Sequence, residues 1–462
     1  MSDSLVFLLL IYVAVLVTPL FLTPSVLLKP YGLLAGLMLT LPLSIILLAS
    51  NEFSTPLLSF NHLDNPHKVE SLLQLILVDA LYGILLLLIG YFAVIFPVLK
   101  HGVSQSNDFV EPNDITVQRA YRVLAWISIA GIAAFIAFSI NMGGIFALYN
   151  KMIVRSRLSE YGAGIFATYY VIAATQLMPI GTIIWAAYGR KPFQHGLFWV
   201  HLLASCLILF SQAARSPLFQ FLIIIAIVTH MKSHGFNIPF RRMLSLICGL
   251  VVFPFLAFGM LSLRLGGMQN EAVAEAVLRE DYINLALDLY AGRDFIDAET
   301  LLLIYDTFPS EEPYQFGGTF VAPLFAPIPR ILWPNKPSMP GALMGKLFLA
   351  GDSGGFPPSL IGELYLNYGT LGVACGMFLI GAFLGVIHRA TMKNRLTPAF
   401  LVIYAVLLMK FLYYIVSASF YNSITKGLGY VMPLILCVWY INRARDKSSN
   451  HRKVVTSHTN DR

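Results

Sequence analysis

SLIGELYLNYGTLGVACGMFLIGAFLGVI, residues 359–387, holds one charged side chain, Glu363, in a run long enough to cross about 30 Å of hydrocarbon as a helix. Leu, Ile, Val, Phe, Gly and Ala make up most of it. Such a surface belongs against lipid, where only a helix or a closed barrel satisfies its own backbone. Runs of the same kind recur at 4–20, 31–49, 72–98, 121–140, 165–187, 196–213, 217–231, 244–263, 398–416 and 425–441. Apolar residues form 57% of the chain, charged residues 12%, and mean hydropathy is +0.72, too greasy for a soluble protein of 462 residues. The reading is an all-α polytopic membrane protein with about eleven spans.

The first run follows MSDS, with no basic flank and no small-x-small cleavage site, so it is expected to stay as a span. Cys206, Cys248, Cys375 and Cys437 all fall inside runs and read as small packing residues. No Cys/His cluster has metal-ligand spacing, and nothing calls for a cofactor or a nucleic-acid partner.

Lys and Arg favour the cytoplasmic side in short loops. The tail after 442, with Arg443, Arg445, Lys447, Arg452 and Lys453, is therefore expected inside. So are the loops 388–397, 232–243 and 188–195. Alternation puts the N-terminus outside, with 50–71, 141–164, 213–217 and 264–358. The last of these carries twelve acidic and six basic residues, in keeping with an outer loop. The organisation is thus a bundle over 1–263, a large outer loop over 264–358, membrane helices over 359–442 and a basic tail over 443–462.

Several cations defy that bias: Arg155, Arg157, Arg215, Arg264, Arg279, Arg293, Arg330 and Lys336 lie outside or at the outer boundary. Cations held there invite an anionic ligand. Arg215, at the turn of SQAARSPLF, either faces such a ligand or snorkels to headgroups. Arg155 and Arg157 read equally as an ordinary solvated loop. Val273, Ala276, Val277, Ile283, Ala286, Leu287 and Tyr290 make an apolar stripe at helical spacing, and a second helix is expected in AETLLLIYDTF. Arg293 and Asp294 sit at the break between them, as a reactive pair or as a helix cap beside a surface cation.

PIPRILWPNKPSMPG, residues 327–341, is too proline-dense for a helix interior. Trp333 offers a face on which a sugar stacks, and Arg330 and Lys336 suit phosphate. The alternative is an interfacial aromatic anchor with snorkelling cations. Glu363 needs a cation or a wet cavity beside it, because an unpaired carboxylate in a span is costly.

IPRILWPNKPSM (328–339), PPSLIGELYLNYG (357–369), the RD pair at 293–294 and the arginine in SQAARSPLFQFLIII together resemble the Wzy-type O-antigen and enterobacterial common antigen polymerases. GGIFALYNKMIVRSRLSEYG is similar in style to that family's basic outer loop. The resemblance implies an inner-membrane glycosyltransferase with GT-C-like organisation and a large periplasmic loop. It implies transfer of a growing glycan from one undecaprenyl-pyrophosphate carrier to the terminal sugar of another lipid-linked repeat unit. Donor, acceptor and membrane lipids would be the partners, with a chain-length regulator and a flippase nearby. Arg215, Arg330, Arg264, Arg155, Arg157, Lys336, Trp333 and Tyr365 become the expected pyrophosphate and substrate ligands. Asp294, Glu363 and Arg293 become the expected catalytic residues, with no metal. A flippase for lipid-linked sugars and an O-antigen ligase are the alternatives; internal twofold repeats, common in transporters, are not evident.

Overall fold

The computed structural model describes residues 2–22, 29–50, 63, 65–100, 108–141, 143–144, 174–211, 215–236, 297–325, 328, 333, 337, 339–348, 357–393 and 395–443. Among them regular structure is helical, and the one bridge outside helices joins Phe109 and Leu396. Among the described residues seven helices are long and apolar enough to cross a membrane: Pro30–Ser50, Pro66–Val98, Asp114–Ile140, Pro217–His234, Ser359–Met392, Pro398–Ser417 and Phe420–Asn442. Asp3–Pro19, Leu177–Tyr188 and Gly196–Phe210 are shorter apolar helices. The expected run 244–263 and the start of 165–187 lie outside the described residues, as does Cys248.

The chain divides into two compact units that interleave stretches from both ends of the sequence. One comprises Met1–Ser106, Phe236–Asn394 and Leu408–Gly427. Its backbone is a seam between the Pro66–Lys100 helix and the Ser359–Lys393 helix. Glycines let the two approach until backbone meets backbone, the way helices pack when lipid gives no hydrophobic drive. A methyl group at Gly385 would lie 2.9 Å from the Tyr91 carbonyl oxygen, and one at Gly83 would lie 3.0 Å from Met377. Methyls at Gly90 and Gly381 would collide with the carbonyls of Phe378 and Leu87. Tyr91 and His388 close the seam with a 2.6 Å hydrogen bond.

The sequence reads 359–387 as one span; the structure divides it. Tyr368 (φ −145°, ψ 18°) and Gly369 (φ 62°, ψ −153°) leave helical geometry, and the second of these conformations suits glycine alone. Residues 359–367 form a separate short helix that folds back on the long one. A methyl at Gly372 would strike the Leu364 carbonyl, and one at Gly376 the Leu364 side chain. Hydropathy averages side chains and is blind to φ, so the break is invisible to it.

The expected second helix of the large loop is Ala298–Thr307, capped by Asp297, whose carboxylate accepts from the Glu299 N–H and the Thr300 hydroxyl. It is buried on nearly every side. Residues 270–296, including the expected stripe, lie outside the described residues. The Pro-rich segment ends in the Pro340–Phe348 helix, with proline in the first turn, where its missing N–H costs nothing.

The second unit comprises Asn107–Gly235, Arg395–Leu407 and Leu428–Arg462. Its centre is the buried Leu177–Tyr188 helix, approached so closely by Gly131 that a methyl there would stand 2.7 Å from the Met178 nitrogen. His201 is held between Ser128 and Thr182, at 2.6 and 2.8 Å, in a buried polar knot completed by Ser205. Outward, Trp126, Ile129, Ile132, Ile136 and Ile140 are exposed on one face of the Asp114–Asn141 helix, as lipid contact demands.

Candidate functional site

The break after Asn367 strips the short helix of partners for its last carbonyls, which cannot stay bare away from water. The loop PYQFGGT (313–319) supplies them. Gln315 N donates to Leu366 O at 3.0 Å and Phe316 N to Asn367 O at 3.2 Å. The loop turns through Phe316 (φ 44°) and Gly317 (φ 83°) to do so. Asn367, fully buried, locks the arrangement: its Oδ1 accepts from Gly317 N at 2.9 Å, and its Nδ2 donates to Thr319 Oγ1 and Glu363 O, both at 2.7 Å.

The other end of the short helix is equally constrained. Ser359 takes φ 60° and donates its N–H to Ala418 O at 3.1 Å. One turn on, Glu363 is 1% exposed and its Oε2 accepts from Phe420 N at 2.5 Å. Phe420 opens the Phe420–Asn442 helix, whose unpaired N–H groups and positive dipole end stabilise a carboxylate. Ser419 Oγ takes the Asn422 N–H of the same helix start at 3.1 Å. Glu363 Oε1 and Ser359 Oγ, one helical turn apart, are buried with no hydrogen-bond partner among the described residues. Glu363 Oε2 therefore meets a helix N-terminus.

Beside this joint lies a second polar group. Asp79 Oδ2 accepts from the Tyr305 hydroxyl and from Thr370 Oγ1, each at 3.1 Å. Tyr305 stacks on Tyr365 with ring centres 3.6 Å apart. Burial first, and then the Asp79 charge, push the Tyr305 phenol well above its usual range, so it donates. Left-handed backbone at Phe316, Gly317, Ser359 and Gly369 thus converges on one buried polar region. Strain of about 1–3 kcal/mol per non-glycine residue persists only where the surroundings enforce it, and it gathers at working sites.

Of the expected site residues, Glu363 and Tyr365 fall in this region. Trp333 is half-buried with its ring edge-on to Phe325, centres 4.9 Å apart. Arg215 opens the Arg215–His234 helix of the second unit. Arg155, Arg157, Arg264, Arg293, Asp294, Arg330 and Lys336 lie outside the described residues. Sequence reasoning missed Asp79, Thr319 and Asn367. Asp79 had a readable signal, being an acid within the apolar run 72–98; the other two are neutral residues with none.

Multiple membrane-length helices and a strained polar joint where one of them breaks define a polytopic membrane protein with a buried candidate site. Residues 324–417, which contain that joint's short helix and the Pro-rich segment, match the family model described as "Putative O-antigen polymerase". The match is to the O-antigen polymerases, the kind of protein the chain's motifs resemble, and it supports a polymerase role in general. No curated protein and no solved structure gives a match.

Proposed function

We propose that the protein extends a glycan at the periplasmic face of the bacterial inner membrane. It would take the growing chain from an undecaprenyl-pyrophosphate carrier and pass it to the terminal sugar of a second lipid-linked repeat unit. The observation that carries this reading is the family match over 324–417, a segment spanning Arg330, Trp333 and the Glu363 helix.

In this reaction the acceptor hydroxyl oxygen bonds to the donor's anomeric carbon while the carbon–oxygen bond to pyrophosphate breaks. The electron pair leaves with the pyrophosphate and the hydroxyl proton passes to a base. Charge accumulating on the leaving group calls for positioned cations, each worth a few kcal/mol in a water-poor site. In our reading Arg215 and Arg330 fill that role first, with Arg264, Arg155, Arg157, Arg293 and Lys336 around them and no metal required. Trp333 and Tyr365 belong to the sugar side.

Asp294 is the base in this reading. Glu363, sealed by burial and held by the Phe420 N–H, acts as a positioning residue that fixes the short helix against the start of the next one. With no nucleophile assigned, transfer is a single displacement with inversion; a trapped glycosyl-enzyme would refute it.

Deletion of the gene followed by silver-stained glycan profiles tests the function. Loss of the ladder with one repeat unit still attached supports the polymerase. Loss of all glycan points instead to a flippase or a ligase.

A further inference from the structure

A cavity of about 600 Å³ opens in the second unit, and no residue assigned to glycan transfer is among those that line it. Its wall includes Arg190, Lys191, His195 and Lys232, with Glu111 as the opposing acid. The turn GRKPF that builds it is unusual. Lys191 sits in the left-handed region (φ 50°, ψ 55°), a conformation that costs a lysine energy and is ordinarily left to glycine or asparagine.

The cations there have different duties. Lys232 Nζ donates to the carbonyls of Ala186, Ala187 and Gly189, at 3.3, 3.1 and 2.5 Å, and so caps the Leu177–Tyr188 helix. Arg190 pairs with Asp114 at 2.8 Å in an exposed bridge that binds only weakly. Lys191 is exposed and has no ion-pair partner among the described residues. The strained turn thus presents a spare positive charge at the cavity mouth.

An apolar track begins two residues beyond His195, the last lining residue of that turn. Leu197, Val200, Leu203 and Leu207 are exposed along one face of the Gly196–Phe210 helix. Phe193 and Trp199, both exposed, stand at its head, and the Trp199 indole donates to Phe193 O at 3.0 Å. Aromatic rings with a polar edge mark the level of lipid headgroups.

We infer that this cavity binds the phosphate of an anionic membrane phospholipid, with Lys191 and Arg190 at the headgroup and the acyl chains along Leu197, Val200, Leu203 and Leu207. Basic pockets between membrane helices select such headgroups by charge, and an adjoining apolar track selects an amphiphile over a soluble phosphate.

The test is native mass spectrometry of the full-length protein released from bilayers of equal phosphatidylglycerol and phosphatidylcholine. The wild type should retain phosphatidylglycerol preferentially. Lys191→Gly removes the charge and relieves the left-handed strain, so it folds; it should lower that retention about fivefold, the effect of one cation near a membrane surface. Lys191→Arg should restore it. Arg389→Gln, at an exposed arginine in the first unit, should leave it unchanged. Equal retention of the two lipids, an equal loss in Arg389→Gln, or displacement of the lipid by glycerol 3-phosphate would each overturn the proposal.

Discussion

The carboxylate of Glu363 accepts a hydrogen bond from the backbone of Phe420, joining two helix ends that stand 57 positions apart in the chain. This bond separates two roles for the same acid. Glu363→Gln keeps an oxygen for the Phe420 N–H, whereas Glu363→Ala leaves that N–H bare. A buried unsatisfied donor costs about 1–3 kcal/mol, so the alanine variant should unfold earlier in detergent and the glutamine variant should stay near wild type. With a positioning role the glutamine variant also keeps its glycan ladder. A stable glutamine variant without a ladder would make Glu363 the base.

Gly369→Ala should be damaging without any change of polarity. Its φ of 62° with ψ of −153° excludes a side chain, and a methyl there would also stand 2.6 Å from the Tyr314 hydroxyl. We expect a loss of about 1–3 kcal/mol, read as a lower melting temperature, with a shortened ladder. An unchanged melting temperature would mean that the short helix is not held as described.

At the glycine seam, Gly381→Leu forces a side chain into the Leu87 carbonyl, and separation of the two helices should cut folded yield. Overpacking of this kind usually costs about 1–3 kcal/mol. Gly196→Leu serves as the control, since nothing lies within 4 Å of a methyl at that position. The pair is compared by size-exclusion profile in one detergent.

Arg215→Ala and Arg330→Ala should each abolish long glycan chains while membrane levels of the protein stay at wild type. Lysine at either position should recover little, because a point charge replaces a planar fork. Wild-type chain lengths in both alanine variants would remove them from the site.

Chain elongation by the purified protein in liposomes should continue in a chelator of divalent ions. Loss of product on chelation, with recovery on adding back magnesium, would contradict a reaction run on the chain's own cations alone.

The helices were legible because lipid imposes a coarse rule: about 20 apolar residues make a crossing, and runs such as 72–98 and 121–140 coincide with described helices. The break at Tyr368–Gly369 was not, since a hydropathy average over the strongly apolar run around it stays high and carries no backbone angle. Buried Asp79 and Lys410 carry a readable signal, as ionisable residues inside apolar runs. Glu363 was found by that same rule. Its partner was not, because a backbone N–H at a helix start leaves no mark in composition. The Lys191 turn looked like an ordinary inner loop, for side-chain charge says nothing about φ.

The glycine seam also bears on how the protein is made. The ribosome delivers the Pro66–Lys100 helix nearly 260 residues before the start of its partner, Ser359. Throughout that interval the notches at Gly83 and Gly90 lack Met377 and Phe378, the residues that meet them in the folded chain. The widest joint of the first unit is therefore among the last to form. A ribosome stalled before residue 359 would leave a nascent chain whose first long helix is inserted and unmatched, a substrate for membrane quality control.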